Sequence, residues 1–275
     1  MLPLRHKRTF LFQPKSMKLC YPFALLSVGG AALLTSCAVY VPTVPSTPLV
    51  TKAGAVEVTA AIRELSSLEA GGAWSPAAHV VVSGEMALQV SNGSETTNGT
   101  ISKYTSVHKQ ASMGLGTYRL VGANQSVYLG AIGGFGLAKA NVYDPHADDL
   151  ILPLFGKRPT TYYEATYQRY YAQIYAAHLG EVVSYGVSAR GTFVHYSQLR
   201  RNDEALTSPT NLFIEPTFFL RAGRGPLQFQ GTVGFSIPTH VDYGSENQRN
   251  LSPMSMLISA GVVLRPQLFR HRDDD

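Results

Sequence analysis

Two short stretches bring carboxylates and imidazoles together: Asp144-Pro145-His146-Ala147-Asp148-Asp149 and His240-Val241-Asp242. A carboxylate beside an imidazole can activate water, so hydrolysis is the chemistry these groups could do. The histidines come from different segments and lack metal-ligand spacing, so no metal site is expected. A third set is made of isolated charges among apolar neighbours: Glu57, Arg63, Glu69, Glu85, Arg190, Glu215 and Arg221. Gathered in one interior they must pair or be hydrated, because an unpaired buried charge costs roughly several kcal/mol. Two outcomes stay open for them, a structural ion-pair network filling a closed lumen or the selectivity lining of a small pore.

Strands must position these groups, because from Ala55 onward apolar and polar residues alternate with a period of two. The cleanest case is Leu227 to Ile237, where Leu227, Phe229, Val233, Phe235 and Ile237 oppose Gln228, Gln230, Thr232 and Ser236. The same grammar holds for Val56 to Arg63, Val80 to Val90 and Met254 to Leu264. About ten such segments start near Ala55, Leu65, His79, Tyr104, Ser126, Tyr163, Val183, Leu212, Leu227 and Met254. Eight to twelve strands fit the pattern, most of them long enough to cross a bilayer when tilted (about 9–11 residues). In Tyr163 to Leu179 the apolar residues change phase, which predicts a β-bulge near Arg169.

Gly130-Ala-Ile-Gly133-Gly134-Phe-Gly136 has the glycines of a phosphate-binding loop but sits within an alternating strand with no helix following, so no cofactor is implied. Gly114, Gly116, Gly130, Gly134 and Gly136 instead leave interior room for large neighbours such as Tyr118 and Tyr128. Trp74, Tyr143, Tyr162, Tyr163, Tyr185, Phe193 and Phe213 fall at strand ends, where aromatic girdles or a sandwich rim would place them.

Connections alternate in length. Those near Ser75 to Ala78, Val121 to Gln125, Gly180 to Val182 and Ala222 to Pro226 are tight, whereas residues 91–103, 144–162, 198–211 and 239–253 are long and polar. Short turns on the periplasmic side and long loops outside are the habit of transmembrane barrels. An even strand number puts both barrel ends on the short-turn side.

The N-terminal region reads differently. Lys18 and an apolar run from Leu19 to Leu34 have the order of a secretory signal, with Met17 an alternative start. The run contains Pro22, Gly29 and Gly30 and falls short of the ~20 apolar residues of a spanning helix. After it, Ala38 to Thr51 carries Pro42, Pro45 and Pro48 three apart, which favours extended polyproline-like chain. It reads as a tether, with a motif for a proline-binding partner as the alternative.

The chain has 275 residues and a formal charge of +5, but Arg5, Lys7, Arg8, Lys15 and Lys18 all lie in the signal. Without them 18 basic residues face 18 acidic ones, so nucleic acid is not an expected partner. Fifteen tyrosines, twelve phenylalanines and only 15% charged residues suit a barrel that is greasy outside and polar inside.

Leu34-Thr35-Ser36-Cys37 resembles the lipobox of bacterial lipoproteins. The resemblance implies cleavage before Cys37 and acylation of its sulfur, and several acyl chains would hold a membrane firmly. With the tether, the Pro48-Leu49 entry and the alternating segments, the chain is similar at the level of architecture to the outer-membrane β-barrel lipoproteins of Gram-negative bacteria. It departs from many barrels by continuing past Leu264 to Phe269 and a polar tail.

The expected organisation is therefore a signal peptide over 1–36, a lipidated Cys37 and tether over 37–53, an all-β antiparallel up-and-down transmembrane barrel over 54–269 and a polar tail over 270–275. The anchor is expected on the periplasmic side of the outer membrane, with outer-membrane lipid as partner and the long loops open to an extracellular ligand. A structural or surface-interaction role leads. A small-solute pore is the first alternative, and a rim hydrolase of the kind found in the ten-stranded omptins is the second. A soluble sandwich or barrel on a lipid tether would alternate too, but with its apolar face turned inward.

Overall fold

The computed structural model describes residues 39–97, 100–144, 161–207, 210–240 and 254–269. The signal segment, Cys37, the Asp148-Asp149 pair, Asp242 and the tail lie outside these residues. The strands are β1 (Val56–Arg63), β2 (Ser67–Trp74), β3 (Val80–Thr97), β4 (Thr100–Val121), β5 (Val127–Asp144), β6 (Thr161–His178), β7 (Val183–Arg201), β8 (Glu204–Ala205), β9 (Thr210–Ala222), β10 (Leu227–Pro238) and β11 (Ser255–Leu264). All pairings are antiparallel between chain neighbours, with β7 pairing β9 directly and β8 added as a two-residue rung beside β7. β1 pairs β11, so ten strands close into a barrel. Closure leaves no free sheet edge.

The direction of the side chains separates the two architectures. Phe229 is 65% exposed and Gln228 only 7%; Val233, Phe235 and Ile237 point out while Thr232 and Ser236 point in. β7 repeats this, with Tyr185, Val187 and Phe193 outside and Ser184, Ser188, Arg190 and Thr192 inside. The barrel is thus apolar outside and polar inside, the inverse of a soluble sandwich.

The tight turns fall where expected, at one end of the barrel. A 3-10 turn at Ala123–Gln125 joins β4 to β5, and Gly223 and Gly225, both at positive φ, join β9 to β10. At the other end two expectations fail. Residues 91–103 do not form a free loop: β3 and β4 continue as a paired ribbon up to Thr97 opposite Thr100, because Ser, Thr and Asn alternate there without needing an apolar face. Residues 198–205 are paired as well, since Asn202 and Asp203 at positive φ make the tight turn from β7 into β8. A similar two-residue turn at Glu64 and Leu65 links β1 to β2. The predicted bulge also moves. β6 keeps one phase throughout, and the extra residue is Ser197 on β7, since Thr166 faces Gln198 while Tyr167 faces Tyr196.

The largest departure concerns the proline-rich segment. Val39, Tyr40, Thr43, Thr47, Leu49 and Val50 are buried, so this stretch is not a spacer outside the barrel but a strap inside it. It packs at one end with Tyr167, Tyr196 and Phe213, toward the long loops, and at the other with Tyr118, Tyr128 and Tyr175, toward the short turns. Val39, the first described residue, therefore sits toward the long-loop end, opposite to the end where the tether was expected.

Candidate functional site: the strapped lumen

Each strand turns alternate residues inward, so ten strands of one period-two pattern converge on a single lumen. Eight ionisable side chains are buried there among the described residues, four acidic (Glu57, Glu69, Glu85, Glu215) and four basic (Arg63, Arg169, Arg190, Arg221). The signs balance, and neighbours pair. Arg190 Nε donates to Glu215 Oε2 at 2.6 Å, and its Nη1 lies 3.3 Å from Glu85 Oε2. Arg169 reaches the same Glu85 oxygen at 3.2 Å. Arg63 pairs with Glu69 at 3.0 Å and, nearer the rim, with Glu64 at 3.3 Å. Arg221 holds Glu57 at 2.8 Å, and Arg265 closes on Glu57 from beyond β11 at 3.3 Å. All seven charged residues predicted from the sequence thus lie in the lumen. Arg169 was missed, since the supposed phase break obscured its direction; the unbroken run Tyr163, Ala165, Tyr167, Arg169, Tyr171 was the signal that could have placed it.

These pairs do more than neutralise one another. The strap is extended and lacks strand partners, so its backbone polar groups must find side chains. Carboxylates take the N–H groups: Val44 donates to Glu69 at 3.3 Å, Ser46 to Glu85 at 3.0 Å and Leu49 to Glu57 at 3.4 Å. Cationic and amide donors take the carbonyls. Gln110 donates to Val41 O at 3.2 Å, Gln173 to Ser46 O at 2.7 Å, Arg221 to Thr47 O at 2.7 Å, and Arg190 Nη2 to Thr43 O. Arg169 adds a bond to Thr43 Oγ1 at 2.7 Å. Pro42, Pro45 and Pro48 have no N–H, which removes three donors that the lumen would otherwise have to satisfy.

Aromatic rings close both ends of this polar section. Tyr40 stacks on Phe213 with centroids 4.3 Å apart and donates its hydroxyl to Glu215 at 3.0 Å. Below, the rings of Tyr118, Tyr128 and Tyr175 stack in sequence, and Tyr175 donates to Pro48 O at 2.9 Å. Tyr163 and Phe213, expected in an outer girdle, belong to the upper interior cluster instead, because Val39 and Tyr40 supply an apolar surface for them. Trp74 and Tyr185 do face outward.

The glycines fit this picture with a change of neighbour. A Cβ on Gly130 would lie 2.2 Å from the Tyr175 ring and one on Gly134 2.3 Å from the Tyr171 ring. The space therefore serves Tyr171 and Tyr175 rather than Tyr118 and Tyr128. Between strap and wall a cavity of about 50 Å³ remains beside Glu69 and Arg221, room for a few water molecules at most.

At the rim, His240 is exposed at the end of β10. Of the carboxylates expected to meet it, Asp144 ends β5 opposite Thr161 while Asp148 and Asp149 lie outside the described residues, and no metal-holding cluster occurs among the described residues.

No protein-family profile matches the chain, and no curated protein matches it. Among solved structures it is similar to the translocator domain of the autotransporter NalP from Neisseria meningitidis, with 9% identity and a TM-score of 0.43 over 88% of this chain and 96% of that one. Closure of the present barrel is established by its own ladder from β1 to β11.

Proposed function

We propose that the protein is an outer-membrane β-barrel lipoprotein whose lumen is closed by its own N-terminal strap, serving as a structural or surface-interaction component and not as an open pore. The observation that carries this reading is the strap itself: its peptide groups are bound by buried charges along the length of the lumen. The outward apolar belt supports insertion in a bilayer, with outer-membrane lipid as the surrounding partner. Cys37 supplies the acyl anchor in this reading, and the loops at the strap's outer end are the surface open to an extracellular ligand.

Planar-bilayer recording tests the closed lumen. Purified protein is expected to give no unitary conductance, whereas reproducible channel events from the intact chain would refute it. The pore alternative has one supporting feature, the balanced set of four carboxylates and four guanidiniums that would line a hydrated conduit once the strap is out. A variant lacking residues 39–50 is the protein in which that conductance should be sought.

A further inference from the structure

The strap has a direction. Read against β6, Tyr40 lies beside Tyr167, Thr43 beside Arg169, Ser46 beside Gln173 and Pro48 beside Tyr175. Nine residues of strap thus run parallel to nine residues of strand, from the long-loop end toward the short turns. At the short-turn end the chain reverses through the exposed residues 51–54 and enters β1. The C-terminal end is fixed at that same end, where Arg265 N donates to Pro226 O in the β9–β10 turn. The two termini of the barrel domain consequently sit on opposite faces, although β1 begins and β11 finishes on one.

Extended polyproline-like chain advances about 3.1 Å per residue, so the eight steps from Tyr40 to Pro48 cover about 25 Å. That matches the ~25 Å height of the apolar band of outer-membrane barrels. Two residues of chain reach at most about 7 Å, which confines Cys37 to the neighbourhood of Val39 at the long-loop face.

We propose that the protein carries its own N-terminus through the lumen to the external face, so that the acyl chains of Cys37 enter the outer leaflet of the membrane and not the periplasmic leaflet. The acyl part rests on the lipoprotein reading above; the direction of the N-terminus does not. The barrel is then fastened to the bilayer twice, by its belt and by a lipid at the mouth of its own lumen. An anchor placed there opposes withdrawal of the strap toward the short-turn side, because leaving would drag acyl chains into a polar lumen.

The test uses the full chain in intact cells, with one epitope inserted between Ala38 and Val39 and another after Asp275. Antibody is expected to bind the first epitope on intact cells and the second only after the outer membrane is permeabilised. Binding to the first only after permeabilisation, in protein whose electrophoretic mobility still shifts on heating as a folded barrel does, would overturn the proposal. Because an insertion could disturb maturation, Ala38→Cys treated with a membrane-impermeant maleimide gives a second reading: modification in intact cells supports the external position, and protection until permeabilisation refutes it. Metabolic labelling with radioactive palmitate, lost in Cys37→Ser, is expected in parallel. Absence of label in the wild type would remove the anchor while leaving the direction of the N-terminus to be decided by the epitopes.

Discussion

Replacing Arg190 by alanine should be the most damaging single change in the lumen. Its guanidinium is fully buried and faces two carboxylates, Glu215 at 2.6 Å and Glu85 at 3.3 Å, while also holding the Thr43 carbonyl of the strap. Glu85 keeps Arg169 at 3.2 Å, but Glu215 is left with hydroxyl donors only, from Tyr40, Thr192 and Ser236. The lumen then carries four acidic against three basic groups in a buried interior where charges are poorly screened. Breaking one partner out of a buried pair costs about 3–5 kcal/mol, which is a shift of roughly 10²- to 10³-fold or more in the folding equilibrium. The chain has a single tryptophan, and Trp74 faces outward at the end of β2, so its fluorescence reports loss of the barrel from its lipid or detergent shell. Urea unfolding followed at Trp74 should show a lower midpoint at unchanged slope for Arg190→Ala. Arg190→Lys should recover only part, because a compact ammonium cannot reach the three separate acceptors that the guanidinium's Nε, Nη1 and Nη2 serve. Arg190→Met combined with Glu215→Met should recover most, since a buried pair exchanged for apolar volume is often neutral. A loss below about 0.5 kcal/mol in Arg190→Ala, the size of an ordinary surface change, would refute the view that this pair sits unscreened and holds the strap.

Tyr40→Phe should cost about 1–3 kcal/mol, since it removes a hydrogen bond to a buried carboxylate but keeps the stack on Phe213, and the same unfolding assay measures it. Gly130→Ala and Gly134→Ala should each destabilise by about 1–3 kcal/mol, because the new Cβ meets the Tyr175 or Tyr171 ring. Gly231→Ala, with open space around it, should change stability by less than about 0.5 kcal/mol. Leu115, which pairs with Gly133 halfway along the outward run Leu129 to Leu137, should cost about 2–4 kcal/mol as Leu115→Arg in lipid vesicles. An unchanged midpoint for that variant would remove the bilayer from the account.

The barrel was legible because its outside and inside differ chemically. A strand such as Leu227 to Ile237 states its two faces residue by residue, and the expected start of every barrel strand but one falls within two residues of the observed one. The exception is β4, whose ribbon with β3 extends through Ser, Thr and Asn that carry no apolar phase, so nothing in the composition there separates paired ribbon from loop. The misplaced bulge has another cause. Tyr163, Ala165 and Tyr167 turn inward to meet the strap, while Tyr170, Ala172, Ile174 and Ala176 turn outward, so both faces of β6 look greasy. The strap itself was the hidden element. Prolines three apart announce extended chain but not its surroundings, and the charges that bind it are scattered from Glu57 to Arg221 with no local mark of their shared target.

The ladder that joins the first and last strands is short. β1 and β11 pair over six residues, Val58 to Arg63 against Leu264 to Ser259, whereas β5 and β6 pair over eighteen. A seam this brief is the natural last step of assembly, and the strap is already joined to one of its lips through β1. The nascent sheet therefore has to curl around a chain already lying in its furrow, since threading a finished cylinder would mean stripping water from every charged group twice. Opening should begin at that same line, and a transient gap there would free the strap sideways without any need to pull it out lengthwise.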